Sequence, residues 1–324
     1  MKRYFLETQS TSQHSSSSRT YSKQSQSSFP FNIPQPVRKV SHTLPKPSQP
    51  KPYPGNSNFP FNLPVQTKNV TKPPPPPPKT NKPQLTQQQI LKKLELTQEQ
   101  AQHILTIPQG TQEWLDARKN RLTASNFGAA IGMNKYKSPK GLLKDMLWNK
   151  FRGNAATKWG SVHEDIARDA YIAKIQEEID AGTSPYTSIR VEETGLFINP
   201  STPWLGSSPD GIVHVTTKDG TAKKFLLEIK CPFRKQFYRP NPVPEYYGCQ
   251  IQGVMALMDL PYCDFCVWTP TGMEITRVDF DKDFWDTKLY PGLKKFYFDM
   301  YLDAFVNKEN GLLGEGEITP TLNL

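Results

Sequence analysis

Acidic residues are almost missing from the first ninety positions of this 324-residue chain: twelve Lys and Arg stand there against one acid, Glu7. That segment carries +11, and because the whole chain carries +10, the remaining residues sum to −1. The basic character belongs to the beginning, and everything after it is near neutral. The same ninety residues hold 17 of the 31 prolines and lack apolar periodicity; such a segment cannot bury enough apolar surface to fold and is expected to be disordered. Cysteine is scarce. Four in a chain of this length do not make a disulfide framework, and they predict a reducing compartment. No apolar run reaches 18 residues, so no membrane span is expected. Met1-Lys2-Arg3 is followed by polar residues rather than an apolar stretch, so no secretory signal is expected either.

What is present divides into four parts. Residues 1–84 are a basic tail, Ser/Gln-rich and then Pro/Lys-rich. Within it Phe29-Pro30-Phe31-Asn32-Ile33-Pro34 recurs as Phe59-Pro60-Phe61-Asn62-Leu63-Pro64. Docking in a partner's groove and mere retention in a biased composition both account for the repeat. Lys72, six prolines and Lys79 form a polyproline II run, read first as a stiff spacer and second as a ligand for an SH3- or WW-type domain. Residues 85–109 are a helical entry segment, with Thr86 and Thr97 as N-caps and Gln89 and Gln100 as capping-box partners. Residues 110–307 are one folded domain, and 308–324 a flexible C-terminus.

The centre of the folded part is Leu205-Gly206-Ser207-Ser208-Pro209-Asp210-Gly211 followed by Leu226-Leu227-Glu228-Ile229-Lys230-Cys231-Pro232. Gly211 to Thr216 is an apolar, β-branched run, Lys218-Asp219-Gly220 is a turn, and Phe225 to Cys231 is the return strand of a hairpin. Strand alternation puts Phe225, Leu227 and Ile229 on one face and Leu226, Glu228 and Lys230 on the other. Asp210 enters beside them from the start of the neighbouring strand. Two carboxylates and one Lys at a sheet edge suit hydrolysis of a phosphodiester: the acids hold Mg²⁺, and the Lys orients or deprotonates water or stabilises developing charge.

Further signals flank the hairpin. Trp114, Leu115, Ala117 and Leu122 suggest a helix with one apolar side, leading into Arg118-Lys119-Asn120-Arg121-Leu122-Thr123-Ala124-Ser125. Ser125 reads as a helix start, where free N–H groups favour phosphate, and Arg118 offers the bidentate fork that Lys lacks. Ala156 to Glu178 reads as a long helix with Trp159, Val162, Ile166, Ala170, Ala173 and Ile175 as its apolar stripe, and Glu164 flanked one turn away by Gly160 and Ala167. Gly195 to Asn199 reads as a short strand. After Pro232 comes a basic, aromatic loop with Phe233, Arg234 and Lys235, suited to unpaired bases and backbone. Pro244 to Leu260 reads as a helix bearing Gln250, Tyr262 to Thr269 and Met273 to Phe280 as antiparallel strands, and Asp281 to Asn307 as a helical stretch broken at Pro291. Cys263 and Cys266, three apart on a strand, face opposite sides and read as buried thiols rather than half of a metal site.

Taken together, Trp114-x-x-x-Arg118-x-x-Arg121-Leu122-Thr123-Ala124-Ser125, Gly160-x-x-x-Glu164, Ser208-Pro209-Asp210-Gly211, Glu228-x-Lys230 and Gln250-x-Gln252 resemble, in order, the motifs of the YqaJ-type viral recombinases. These are lambda-type exonucleases within the PD-(D/E)XK nuclease superfamily. The resemblance covers about residues 110–300. It implies a restriction-endonuclease-like α/β core, a mixed sheet flanked by helices, behind the disordered N-terminal tail. It implies Mg²⁺, replaceable by Mn²⁺, held by Glu164, Asp210, Glu228 and the Ile229 carbonyl. Lys230 would act on the attacking water, supported by Gln250. Arg118, Arg121, Ser125 and Ser208, with Arg234 and Lys235 from the loop, would contact DNA. The implied activity is 5′→3′ digestion of linear double-stranded DNA in recombination, repair or replication. A structure-selective endonuclease or a non-catalytic Pro-rich adaptor are the alternatives. Expected partners are duplex DNA ends, a single-strand annealing protein, an SH3/WW-type domain and further copies of the chain, with no membrane. The expected location is intracellular, in the nucleus or a viral replication site rather than the mitochondrion.

Overall fold

In the computed structural model the described residues are 84–149, 153–233 and 242–318, all within the compact unit Pro76–Leu324. The expectations for the tail, including the repeated Phe-Pro motif and the polyproline run, lie outside the described residues. So does the last part of the C-terminus, 319–324.

The entry segment folds as its capping signals predict. Helices α1 (Gln87–Leu94) and α2 (Gln98–Thr106) each start with a complete capping box, Thr86 with Gln89 and Thr97 with Gln100. Two otherwise orphaned backbone donors are thereby satisfied at each helix start. Helix α3 (Gln112–Ala117) follows, and then the two-residue strand β1 (Leu122–Thr123), parallel to β3 (Leu205–Gly206). Leu122 therefore belongs to a strand and not to the helix before it. A 3-10 turn, Ala124–Asn126, leads into α4 (Phe127–Ala130). Helix α5 (Pro139–Trp148) starts at the Ser138 cap with Pro at its first turn. Helix α6 (Ala155–Asp180) runs for 26 residues.

The main sheet has the order β2-β4-β5-β6-β7. Strand β2 (Tyr186–Glu192) was not legible beforehand; its burial is mixed and most of its side chains are exposed. The hairpin of β4 (Gly211–Thr217) and β5 (Ala222–Lys230) pairs Gly211 with Leu227, with Gly220 at φ 84 in its turn. Helix α7 (Glu245–Met258) carries the chain across to β6 (Tyr262–Thr269), parallel to β5, and β7 (Gly272–Asp279) returns antiparallel. The sheet is therefore mixed, as expected. Gly195 to Asn199 forms only one isolated bridge, Phe197 to Ser207, and not a strand. Gly195 fits there because any Cβ would strike the carbonyls that end α2, and its own N–H is bonded to the Leu105 carbonyl at 2.6 Å.

Both faces of the sheet are covered. Phe225, Leu227, Ile229 and Cys266 pack with Ala167, Tyr171 and Ile175 of α6. Leu226, Cys263 and Phe265 pack with α4, α5, α7 and the C-terminal helices. The alternation read from β5 and the opposite facing of Cys263 and Cys266 hold. Of the stripe expected on α6 only Ile175 is buried; Val162 and Ile166 are 58% and 50% exposed, and the buried face runs through Ala167, Arg168 and Tyr171. The helix is rotated because Tyr171 donates its hydroxyl to buried Asp264 of β6 at 2.8 Å. Asp264 also takes both Nε and Nη2 of Arg277, at 2.9 and 3.1 Å. Asp264→Ala is expected to cost about 1–3 kcal/mol by urea denaturation, because the Tyr171 hydroxyl is left buried without an acceptor, whereas half-exposed Arg277 turns to water.

The chain does not break at Pro291. From 282 to 309 it stays helical, passing through π-helical turns at Trp285–Leu289 and Lys295–Leu302. Pro291 sits in the first turn of Tyr290–Lys294, where a missing N–H is tolerated. Residues beyond 307 are also less free than expected: Trp148 donates to the Glu317 carbonyl at 2.8 Å, Leu313 and Ile318 pack on the core, and Asn310 bonds both N–H and carbonyl of Leu85.

Candidate active site

Strand β4 begins where antiparallel β5 ends, so Asp210 reaches the same sheet end as Glu228 and Lys230. Asp210 Oδ2 accepts the Ile229 N–H at 2.7 Å, which pins this carboxylate to the neighbouring strand. Glu228 is fully buried. Its Oε1 receives the Lys230 ammonium and, at 2.5 Å, the Gln250 amide from α7. Its Oε2 is buried with no hydrogen-bond partner. Gln252, by contrast, is structural: it clamps the Asp279 carbonyl and the Asp281 N–H, each at 2.8 Å.

Glu164 arrives from α6, held by Arg168 at 3.4 Å. Arg168 is the residue that sequence reasoning missed. It is 8% exposed, pairs with Asp165 at 3.0 Å and Glu193 at 2.7 Å, and donates to the Asp210 carbonyl at 3.2 Å. One guanidinium thus ties α6, the segment before β3 and the start of β4 together. The only local hint was an Arg on the turn after Glu164, flanked by Ala167.

Electrostatics bind these groups into one unit. Burial first, and Asp210 second, push the Glu228 carboxyl up to about 8. Burial and then Asp210 raise Glu164 to about 7. Burial opposes the Lys230 charge, but Glu228 and Asp210 outweigh it and hold the ammonium above the ordinary lysine range. Lys230 also lies 5.3 Å over the Tyr247 ring. Among the described residues no three His, Cys, Asp or Glu stand closely enough to enclose an ion. The donor set nevertheless fits a hard divalent cation, because an orphaned buried carboxylate oxygen and mutually repelling acids are what a cation relieves. Added Mn²⁺ is expected to raise the melting temperature, more so above about pH 8 than below about pH 7, because the acids must shed their protons to ligate. Glu228→Gln should remove the effect.

Two cavities meet at this point. The larger, about 1490 Å³, is lined by Glu164, Asp210 and Arg168 and also by Trp114, Arg118 and Thr123. The second, about 380 Å³, takes in Glu164, Asp210, Ile229, Lys230 and Phe233. Arg118 lies 4.2 Å over the Trp114 ring and donates to Thr123 Oγ1 at 3.3 Å. Burial lowers its pKa to about 10, and among the described residues no carboxylate answers its charge, which leaves it suited to an anion. Trp114 donates in turn to Ser208 Oγ at 3.1 Å, so Ser208 supports the ring under Arg118. Arg121 spends its guanidinium on the carbonyls of Pro203, Ala117 and Leu94, at 2.8, 2.7 and 3.0 Å, and acts as a staple between segments. Ser125 is exposed, inside the 3-10 turn and apart from the residues lining the cleft; Thr123 and Asn126 line it instead. Arg234 and Lys235 lie outside the described residues. His163 is stacked on Trp159 at 3.7 Å, and its Nδ1 meets the Trp159 carbonyl at 2.8 Å.

Residues 113–273 match the model of the YqaJ-like viral recombinase domain. Curated relatives include protein R354 of Acanthamoeba polyphaga mimivirus, 27% identical over 197 residues, covering 58% of this chain and 33% of that protein. They also include protein D345L of African swine fever virus (isolate Tick/Malawi/Lil 20-1/1983), 29% identical over 169 residues, covering 46% of each. The chain thus spans a third to just under half of the length of these relatives. Among solved structures, the alkaline exonuclease LHK-Exo from Laribacter hongkongensis is similar, with TM-score 0.49, 25% identity and coverage of 62% of this chain and 97% of that one.

Proposed function

The chain belongs to the YqaJ-like viral recombinase family through residues 113–273, and from that premise we propose that it is a metal-dependent deoxyribonuclease digesting linear duplex DNA from the 5′ end. The observation that carries the reading is the convergence of Asp210, Glu228, Lys230 and Glu164 at one sheet end, with one oxygen of Glu228 buried and unpaired. A non-catalytic adaptor has no use for so costly a buried cluster.

Glu164, Asp210, Glu228 and the Ile229 carbonyl would hold Mg²⁺ or Mn²⁺, which supplies Lewis-acid polarisation of the phosphate and a more acidic bound water. Gln250 fixes the Glu228 carboxylate against rotation. Lys230, held in its charged form by two acids, serves as a hydrogen-bond donor that orients the nucleophile and offsets charge building on the phosphoryl oxygens. Arg168 sets the distance between Glu164 and the start of β4. Arg118, charged and unanswered in the large cleft, would take the terminal phosphate.

The test is a divalent-metal assay on end-labelled linear and closed-circular DNA. Linear DNA digested from its 5′ end, with circles left intact, supports the proposal; nicked or linearised circles would favour an endonuclease on the same core. Strand resection of this kind leaves a 3′ overhang, so the product suits a single-strand annealing partner.

The tail enters through charge alone. With +11 on residues 1–90 and −1 on the rest, most counterion release on DNA binding would come from the tail. Deleting residues 1–84 is expected to leave cleavage in place, weaken DNA binding and flatten its salt dependence. An unchanged slope of log affinity against log salt would assign the tail to protein partners or localisation instead.

A further inference from the structure

We propose that the 380 Å³ cavity is a nucleobase site, taking the base on the 3′ side of the scissile phosphate against Phe233 and Tyr247. The inference rests on the nuclease reading above and adds a substrate subsite to it.

Glu164 and Asp210 stand on the partition between the two cavities, with Arg118 on the large side and Lys230 on the small side. Two aromatic residues, Phe233 and Tyr247, share the wall of the small cavity with Lys230. Phe233 is 43% exposed, yet its ring is buttressed: Trp159 meets it edge-on at 5.8 Å and is itself stacked on His163. The second ring is Tyr247, fixed by Tyr246 at 4.3 Å and Phe265 at 5.6 Å. Gly160 of α6 also lines the cavity, and an added Cβ there would meet nothing within 4 Å.

The cavity thus brings two acids and Lys230 together with two aromatic rings, and it is open at Gly160 of α6. Those are partners for both parts of a nucleotide, its phosphate and its base. A purely apolar ligand would not be met by two acids and a Lys. The volume suits one small ligand and excludes a duplex. If the departing 5′ end lies on the Arg118 side, the nucleotide across the partition is the one that stays on the strand. Ordered rings waiting there would hold its base unpaired while the bond before it is cut.

The test is a two-by-two comparison with full-length protein, Mn²⁺ and 5′-phosphorylated linear duplex, either intact or abasic at the second nucleotide. Wild type is expected to cut the abasic substrate about tenfold more slowly, the effect of one lost base stack. Loss of a base pair alone would ease strand separation and speed cutting, so this slowing has the opposite sign to the trivial effect. Phe233→Ala should cut the intact substrate about tenfold more slowly and no longer distinguish the two. Phe233→Trp should restore both rate and discrimination. Full discrimination retained by Phe233→Ala would overturn the site. If the protein cuts no DNA at all, the nuclease reading fails separately. The same comparison is then made on the affinity of wild type and Phe233→Ala for intact and abasic 5′-phosphorylated single strands, by fluorescence anisotropy. Coupling between ring and base there supports the site, and additivity overturns it.

Discussion

Lys230→Ala is expected to lose on the order of 10²-fold or more in cleavage rate while remaining folded, the loss typical of a positioned donor aimed at developing charge. Two opposed terms decide why Lys230 is where it is. Burial disfavours its charge, but the Glu228 and Asp210 carboxylates favour it by more. Removing the ammonium leaves Glu228 fully buried with Gln250 as its remaining partner. A carboxyl already pushed up to about 8 then takes up a proton instead of unfolding the sheet. The variant should therefore melt as a folded protein near neutral pH and bind metal less well. Asp210→Asn and Glu228→Gln should also be inactive, the first because the ligand charge at the start of β4 is gone, the second because the buried oxygen is neutralised. Undiminished cleavage by Lys230→Ala, measured with a melting curve to show that it folds, would end the nuclease assignment.

Arg118→Ala should abolish selection for a 5′-phosphate. Wild type is expected to digest a linear duplex with a 5′-phosphate about tenfold or more faster than the same duplex with a 5′-hydroxyl, the worth of one or two charge-assisted hydrogen bonds. The terminal phosphate carries more charge than an internal diester, so the benefit is specific to the end. Arg118 suits the role because its charge is desolvated and no acid among the described residues offsets it, while the Trp114 ring fixes its plane. For the same reason Arg118→Ala should cost little stability, about 1 kcal/mol or less: packing on Trp114 is lost, but an uncompensated cation goes with it. Metal-induced stabilisation, which depends on the acids, should be unchanged. Equal rates on both DNA ends in wild type would make Arg118 a support for Trp114 and move the reading toward an endonuclease.

Local chemistry was legible in the sequence. The two capping boxes are written within four consecutive residues each, and both formed. The hairpin was readable because β-branched alternation and a Gly turn are short-range signals, and alternation alone put Glu228 and Lys230 on one face of β5. Other features depended on partners far away in the chain. The buried face of α6 was misjudged because Tyr171 reaches Asp264, 93 residues on, and Arg168 reaches the Asp210 carbonyl, 42 residues on. Hydrophobic spacing records which residues could be buried, but not that a polar pair will turn the helix and leave Val162 and Ile166 outside. Likewise Arg121, expected to contact DNA, donates instead to the Pro203 and Leu94 carbonyls, and the pairing of Trp114 with Ser208 spans 94 residues. Pro291 read as a break, but its missing donor falls in the first turn of Tyr290–Lys294, after a π-helical turn. The sequence determined the strand, the turn and the shared face of Glu228 and Lys230, because those follow from neighbours in the chain. Only the tertiary structure decided which charges stay unanswered, because that depends on which distant carbonyls and carboxylates packing brings to each one.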